Sequence, residues 1–186
     1  FLYPDETETG IKIMSVNLLL DDETTPVLWR GPIIAGTVKQ FYSDIIWGDI
    51  DYMFIDCPPG TGDVPLTIFQ SIPIDGVVVV TTPQGLVSVI VGKAVHMADS
   101  MNIPVIGMIE NMSYFICPDC NNKHYIFGKS QLEQVIRDLY IGHAIRLPIN
   151  PSLAGLMDRG EIEHMEANAD LQEFADLIST FDPDKY

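Results

Sequence analysis

With 186 residues, 47% of them hydrophobic, the chain is long enough to bury one core of ordinary size and too apolar to stay disordered. Its formal net charge of −16 disfavours a nucleic-acid partner, because an acidic surface repels phosphate backbones. No apolar run reaches the roughly 18–20 residues that cross a bilayer, FLYPDETETG has no leader pattern, and three cysteines are too few for a disulfide scaffold, so the expected setting is reducing and cytoplasmic, with no membrane partner.

In chain order, IKIMSVNLLL (11–20) is apolar and reads as a strand. From Gly36 onward, Val38, Phe41, Tyr42 and Ile45 fall at helical spacing. DYMFID (51–56) reads as a buried strand that ends in an acid, and CPPGTGD (57–63) as a stiff loop. DGVVVVTT (75–82) has the β-branched, non-alternating pattern of a strand covered on both faces. Leu86, Val89, Ile90, Ala94 and Met97 form a helix stripe, closed by Asn102 and Pro104. IPVIGMIE (103–110) is another strand, Ser130 and Glu133 have capping-box spacing before a short helix, HAIRLPI (143–149) is a last strand, and Leu171, Phe174, Ala175 and Ile178 mark a C-terminal helix. Strands alternating with helices predict an α/β fold, a mostly parallel sheet with helices on both faces, as one domain over 1–186. The irregular stretch 112–129 is the longest excursion.

Two stretches carry chemistry. Asp56 ends its run as an acid able to help hold Mg²⁺, Gly60 and Gly62 let backbone approach a phosphate, and Asp63 adds a second acid near the next helix. The other stretch is CPDC. Cys117 and Cys120 offer two thiolates to one face of a metal. Four readings are open on spacing: zinc with His124 recruited through C-x2-C-x3-H, an iron–sulfur cluster, a redox pair, or two free thiols. A tetrahedral or cubane site needs four ligands, so a two-fold dimer supplies the missing pair if the loops meet on the axis. Cys57, beside Asp56, reads as a small buried residue and not as a ligand.

WRGP (29–32), WGDIDYMFIDCPPGTGD (47–63), TTPQ (81–84), IPVIGMIENMSYFICPDC (103–120) and IFG (126–128) together resemble the Mrp/ApbC family. Its members are iron–sulfur cluster carriers related to the MinD-type P-loop NTPases. The resemblance implies that Asp56 positions Mg²⁺, and that Gly60, Thr61, Gly62 and Asp63 sense the γ-phosphate. It implies that Asn111 reads the adenine edge and that Pro148 packs on the base. It also implies that Cys117 and Cys120 share a [4Fe–4S] cluster with a second copy of the chain, with ATP and Mg²⁺ gating delivery to apo iron–sulfur proteins. Two departures accompany it. GxxxxGK[ST] occurs nowhere in the 186 residues, as if the family pattern were entered about a hundred residues in and the domain truncated at its N-terminus, and Gly85 stands where the family usually has an acid. Without a phosphate-cradling loop and its lysine, this chain is expected to hydrolyse ATP weakly or not at all. The competing expectations are a MinD- or ParA-like positioning ATPase and a zinc-stabilised structural module.

Overall fold

The computed structural model describes residues 2–20, 22, 31–165 and 168–185, so Trp29 and Arg30 of WRGP lie outside the described residues. Two compact units are present, Phe1–Pro73 and Ile74–Tyr186.

The first unit opens with a short hairpin, β1 (Asp5–Glu6) antiparallel to β2 (Lys12–Ile13). Gly10, at φ +89°, makes its turn, a conformation that costs L side chains about 1–2 kcal/mol. The strand expected over 11–20 is cut to two residues. Ser15 accepts a hydrogen bond from the Asn17 N–H and caps a 3₁₀ turn, Val16–Leu19. Short polar side chains of this kind compete with the sheet ladder for backbone groups. Helix α1 (Gly31–Ser43) packs on α2 (Asp63–Ser71), which buries Pro65 and Ile68. Ile45 is buried just after α1 and bridges to Leu2.

DYMFID is not a strand. Tyr52 and Phe54 are 56% and 74% exposed, and 51–56 has no ladder partner among the described residues. A buried parallel strand is created by neighbours on both sides, and apolar sequence alone does not supply them.

The second unit holds the sheet. β3 (Val77–Thr81) and β6 (Ala144–Pro148) both pair parallel with β4 (Val105–Ile116), which lies between them. The short β5 (Lys123–His124) folds back antiparallel on the end of β4. α3 (Gly85–Ser100) and α4 (Leu132–Asp138) contribute Val91, Val95 and Leu132 to a core with Val79, Ile141 and fully buried Met108. Burying side chains of this size contributes roughly 1.5–3 kcal/mol each. α3 ends as its sequence implies. Asn102 takes φ +56° and the Ile103 N–H bonds back to the Ala98 carbonyl, a left-handed helix cap.

α5 (Pro151–Asp158) starts at the Asn150 cap. α6 (Ala169–Ser179) covers the opposite face of the sheet, where buried Phe174 lies against Gly107. Helices on both faces of a mostly parallel sheet are the expected architecture. The exception is β3, whose Val80 is 64% exposed. α6 packs over β6 and the Gly107 stretch of β4, and among the described residues Val80 of β3 is left uncovered.

Candidate metal centre and nucleotide-facing residues

β4 runs past its neighbours and makes the cysteine hairpin. Its pairing with β6 steps from Glu110↔Arg146 to Tyr114↔Pro148, so two extra residues bulge from β4. Met112 sits in the bulge at φ +54°, and the Asn111 side chain accepts the Met112 N–H at 2.9 Å. The strand then continues as Phe115↔His124 and Ile116↔Lys123. The hairpin closes with the Cys117 N–H donating to the Asn122 carbonyl at 3.0 Å and the Asn121 N–H to the Cys117 carbonyl at 2.9 Å. Asn121, at φ +55°, makes the reversal. The Lys123 ammonium lies 4.2 Å above the Tyr114 ring, a cation–π contact that braces the stem.

Both cysteines are therefore in a turn. No helix begins at Cys117, so the geometry that activates thioredoxin-like pairs is missing here. All three cysteines are free thiols. One ligand atom each from Cys117, Cys120 and His124 lie within 4.8 Å of one another. Cys117 is half-buried, and Cys120 and His124 are exposed. The backbone N–H groups of Cys120 and then Asp119 point at the Cys117 sulfur, and the Cys120 thiol adds to them. These donors hold the Cys117 thiol below its ordinary pKa and favour the thiolate that binds metal.

Below the hairpin lies a polar knot that sequence reasoning missed. Glu110 is only 3% exposed. Its carboxylate accepts hydrogen bonds from the hydroxyls of fully buried Ser113 and of Ser130, the latter at 3.0 Å. Arg146 faces the same carboxylate at 3.7 Å, donates to the Ser130 hydroxyl at 3.1 Å, and donates to Glu133 at 3.0 Å. Ser130 also accepts the Leu132 N–H at 3.1 Å. The capping box expected from the Ser130–Glu133 spacing does not form: the helix is capped at Gln131 without a side-chain bond, and Glu133 is drawn to Arg146. The signal was available: an acid inside the apolar run IPVIGMIE has to find partners once it is buried. Ser113 precedes the cysteines and Ser130 follows them, so the knot ties both ends of the excursion to the sheet. A small cleft lined by Thr81, Thr82, Gln84, Glu110, Gln131 and Leu132 opens at the carboxyl end of β3, beside the middle of β4. This is where open α/β sheets take ligands.

The expected nucleotide residues fall into two groups. Gly60, Thr61, Gly62 and Asp63 form a loop-to-helix segment: Gly60 has φ +91°, Gly62 caps α2, and Asp63 is in the first turn. Asp56 precedes them as an exposed acid, not at the end of a buried strand as expected. In the second unit, Asn111 lies in the β4 bulge and Pro148 ends β6 opposite Tyr114; neither lines the cleft. Cys57 is an exposed residue, which corrects the expectation of burial: 51–57 lacks a packed strand to enclose it. Its sulfur is still partly desolvated, and this, with the Asp56 charge, pushes the thiol upward.

The profile of the ParA family described as "NUBPL iron-transfer P-loop NTPase" matches residues 1–181. The chain is 48% identical over 160 residues to the iron-sulfur cluster carrier protein of Methanocaldococcus jannaschii, covering 86% of this chain and 55% of that protein. It is 41% identical over 181 residues to the iron-sulfur cluster carrier protein of Methanococcus maripaludis, covering 96% and 62%. Among solved structures, a nucleotide-binding protein from Archaeoglobus fulgidus, in complex with ADP and with cobalt found by PIXE, aligns at TM-score 0.76 and 38% identity. That match covers 89% of this chain and 63% of the other. The chain spans little more than half the length of the curated relatives it matches. On these matches, and with the parallel sheet and the cysteine hairpin in place, the chain belongs to the NUBPL-type iron-transfer P-loop NTPases, the kinship its Mrp/ApbC-like motifs imply.

Proposed function

We propose that this chain binds an iron–sulfur cluster as cargo and delivers it to apo iron–sulfur proteins. One observation carries the reading: a hydrogen-bonded hairpin presents two free thiols at ligand spacing on an accessible turn. A [4Fe–4S] cluster takes four thiolates, so two copies of the chain meet at Cys117 and Cys120 and share it. Cysteines held in a surface turn exchange ligands with an incoming apoprotein more readily than a buried cage does. The names of the relatives support the cargo.

Asp56, Gly60, Thr61, Gly62 and Asp63 are assigned to Mg²⁺ and the γ-phosphate, and Asn111 and Pro148 to the adenine. The ADP in the Archaeoglobus fulgidus structure supports this assignment. With no GxxxxGK[ST] in its 186 residues, the chain by itself turns over ATP weakly. No helix among the described residues is long and apolar enough to cross a membrane. A relative from Schizosaccharomyces japonicus, 40% identical over 172 residues, is named a probable cytosolic Fe-S cluster assembly factor. The exposed acids of α6, Asp170, Glu173 and Asp176, stand against a membrane-positioning role.

The test is iron, acid-labile sulfide and zinc per chain, measured without oxygen on protein sized on the same column. About two irons and two sulfides per chain in a dimer is the expected result for one shared cluster. A Cys117→Ser, Cys120→Ser chain that still carries iron and sulfide would refute it.

A further inference from the structure

We propose that Cys117, Cys120 and His124 form a metal site complete within one protomer. It takes a single divalent ion of the class that accepts both thiolate and imidazole, such as iron(II), cobalt(II) or zinc(II). The proposal rests on the same thiolates as the cargo reading, but it needs neither a cluster nor a second chain.

The hairpin register fixes the third ligand. His124 pairs across from Phe115, two residues before Cys117, so the imidazole rises beside the turn that carries both thiols. Its ring is exposed, and no hydrogen bond or ion pair engages it among the described residues. The three ligand atoms lie within 4.8 Å. A tetrahedral ion about 2.3 Å from sulfur and about 2.0 Å from nitrogen spaces its ligands roughly 3.5–3.8 Å apart. Closing the set therefore takes inward shifts on the order of 1 Å, within reach of side-chain rotation in a turn. Two thiolates balance the ion's charge, imidazole completes three ligands, and water takes the fourth position. This donor set suits borderline metals and not magnesium or calcium.

A consequence for loading follows. A cluster needs sulfur from two chains, whereas the mononuclear site needs one. The hairpin then has two competing states, a monomer holding one ion and a dimer holding a cluster. His124 stabilises only the first.

Cobalt(II) alone, titrated without oxygen into the metal-free chain, is the probe, because its absorption reports geometry and sulfur ligation. Wild type is expected to bind one cobalt per chain as a monomer, with four-coordinate ligand-field bands and sulfur-to-cobalt charge transfer. Losing a partner outside the ligand set already weakens metal binding about 10–100-fold. His124→Asn should therefore bind cobalt at least about tenfold more weakly and with altered ligand-field bands. It should keep the far-UV circular dichroism of wild type and still load iron and sulfide.

Unchanged cobalt affinity and spectrum in His124→Asn would overturn the proposal and leave the cargo reading standing. Half an ion per chain in a wild-type dimer, the signature of four shared cysteines, would also overturn it. Iron and sulfide retained by Cys117→Ser, Cys120→Ser would instead sink the cargo reading. Cobalt retained by that double variant would remove the site proposed here.

Discussion

Arg146→Ala tests whether the polar knot at Glu110 holds the cysteine hairpin in place. The substitution removes the cation facing a carboxylate of only 4% side-chain exposure. Breaking a fully buried ion pair from one side costs about 3–5 kcal/mol. Here the arginine side chain is 36% exposed, and Ser113 and Ser130 still donate to Glu110 after the change. Water screening and those two hydroxyls reduce the expected cost to about 1–3 kcal/mol. For a chain of this size each kcal/mol moves the melting midpoint by about 2–4 °C, so a central cost of about 2 kcal/mol lowers it by about 4–8 °C.

The assay is thermal unfolding by far-UV circular dichroism, with Arg159→Ala as reference. Arg159 pairs with Glu161 at 2.6 Å, but the two side chains are 58% and 46% exposed. Such a pair contributes about 0–1 kcal/mol. Hydrogen exchange supplies the functional half: the Cys117 and Asn121 amides should open faster in Arg146→Ala and not in Arg159→Ala. Equal melting shifts in the two variants, with unchanged exchange in the hairpin, would refute the reasoning.

Other expectations are as direct. A Cβ added at Gly107 would lie 2.8 Å from Phe174 Cε2 and 3.0 Å from the His143 carbonyl oxygen. Gly107→Ala should therefore destabilise by about 1–3 kcal/mol, read as a lower denaturation midpoint; an unchanged midpoint would mean that α6 does not press on β4. In metal-free protein at neutral pH, iodoacetamide should modify Cys117 before Cys57. Cys117 is held below its ordinary pKa by backbone donors, whereas desolvation and then Asp56 push Cys57 above it. The lowered group keeps more thiolate as pH falls, so the gap should narrow as pH rises through the usual thiol value of about 8.5. Mass spectrometry of the modified peptides reads the order, and Cys57 reacting first would contradict it.

Much of the second unit was legible because its elements are set by short-range pattern. The run VVVV, the stripe through Ala94, and the acid-free interior of Val105–Ile109 each specify one packed element. CPDC was legible as a candidate ligand pair because two thiols at that spacing can face one metal, and the hairpin keeps both near His124. The failures share a cause, since each depended on what lies beside a segment. DYMFID has strand composition, but no strand pairs with it among the described residues. IKIMSVNLLL has strand hydrophobicity, but Ser15 diverts it into a 3₁₀ turn. The Glu110 knot was hidden because its members are far apart in sequence, and only the pairing of β4 with β6 brings Arg146 to Glu110.

The closure of the cysteine turn bears on the order in which the chain matures. Its bonds join residues four and five apart, Asn121 to Cys117 and Cys117 to Asn122. The sheet beneath depends on Glu110 meeting Arg146, and that contact must wait for a long stretch of chain. Hairpins close in about 1–10 μs, whereas distant pairings bear the entropy of a large loop before they gain anything. An emerging chain therefore shapes its ligand turn before its scaffold exists. Pulsed exchange during refolding should protect the Asn121 amide ahead of Met108, and the reverse order would contradict this. Were the turn to take the metal proposed for it, capture would precede completion of the sheet.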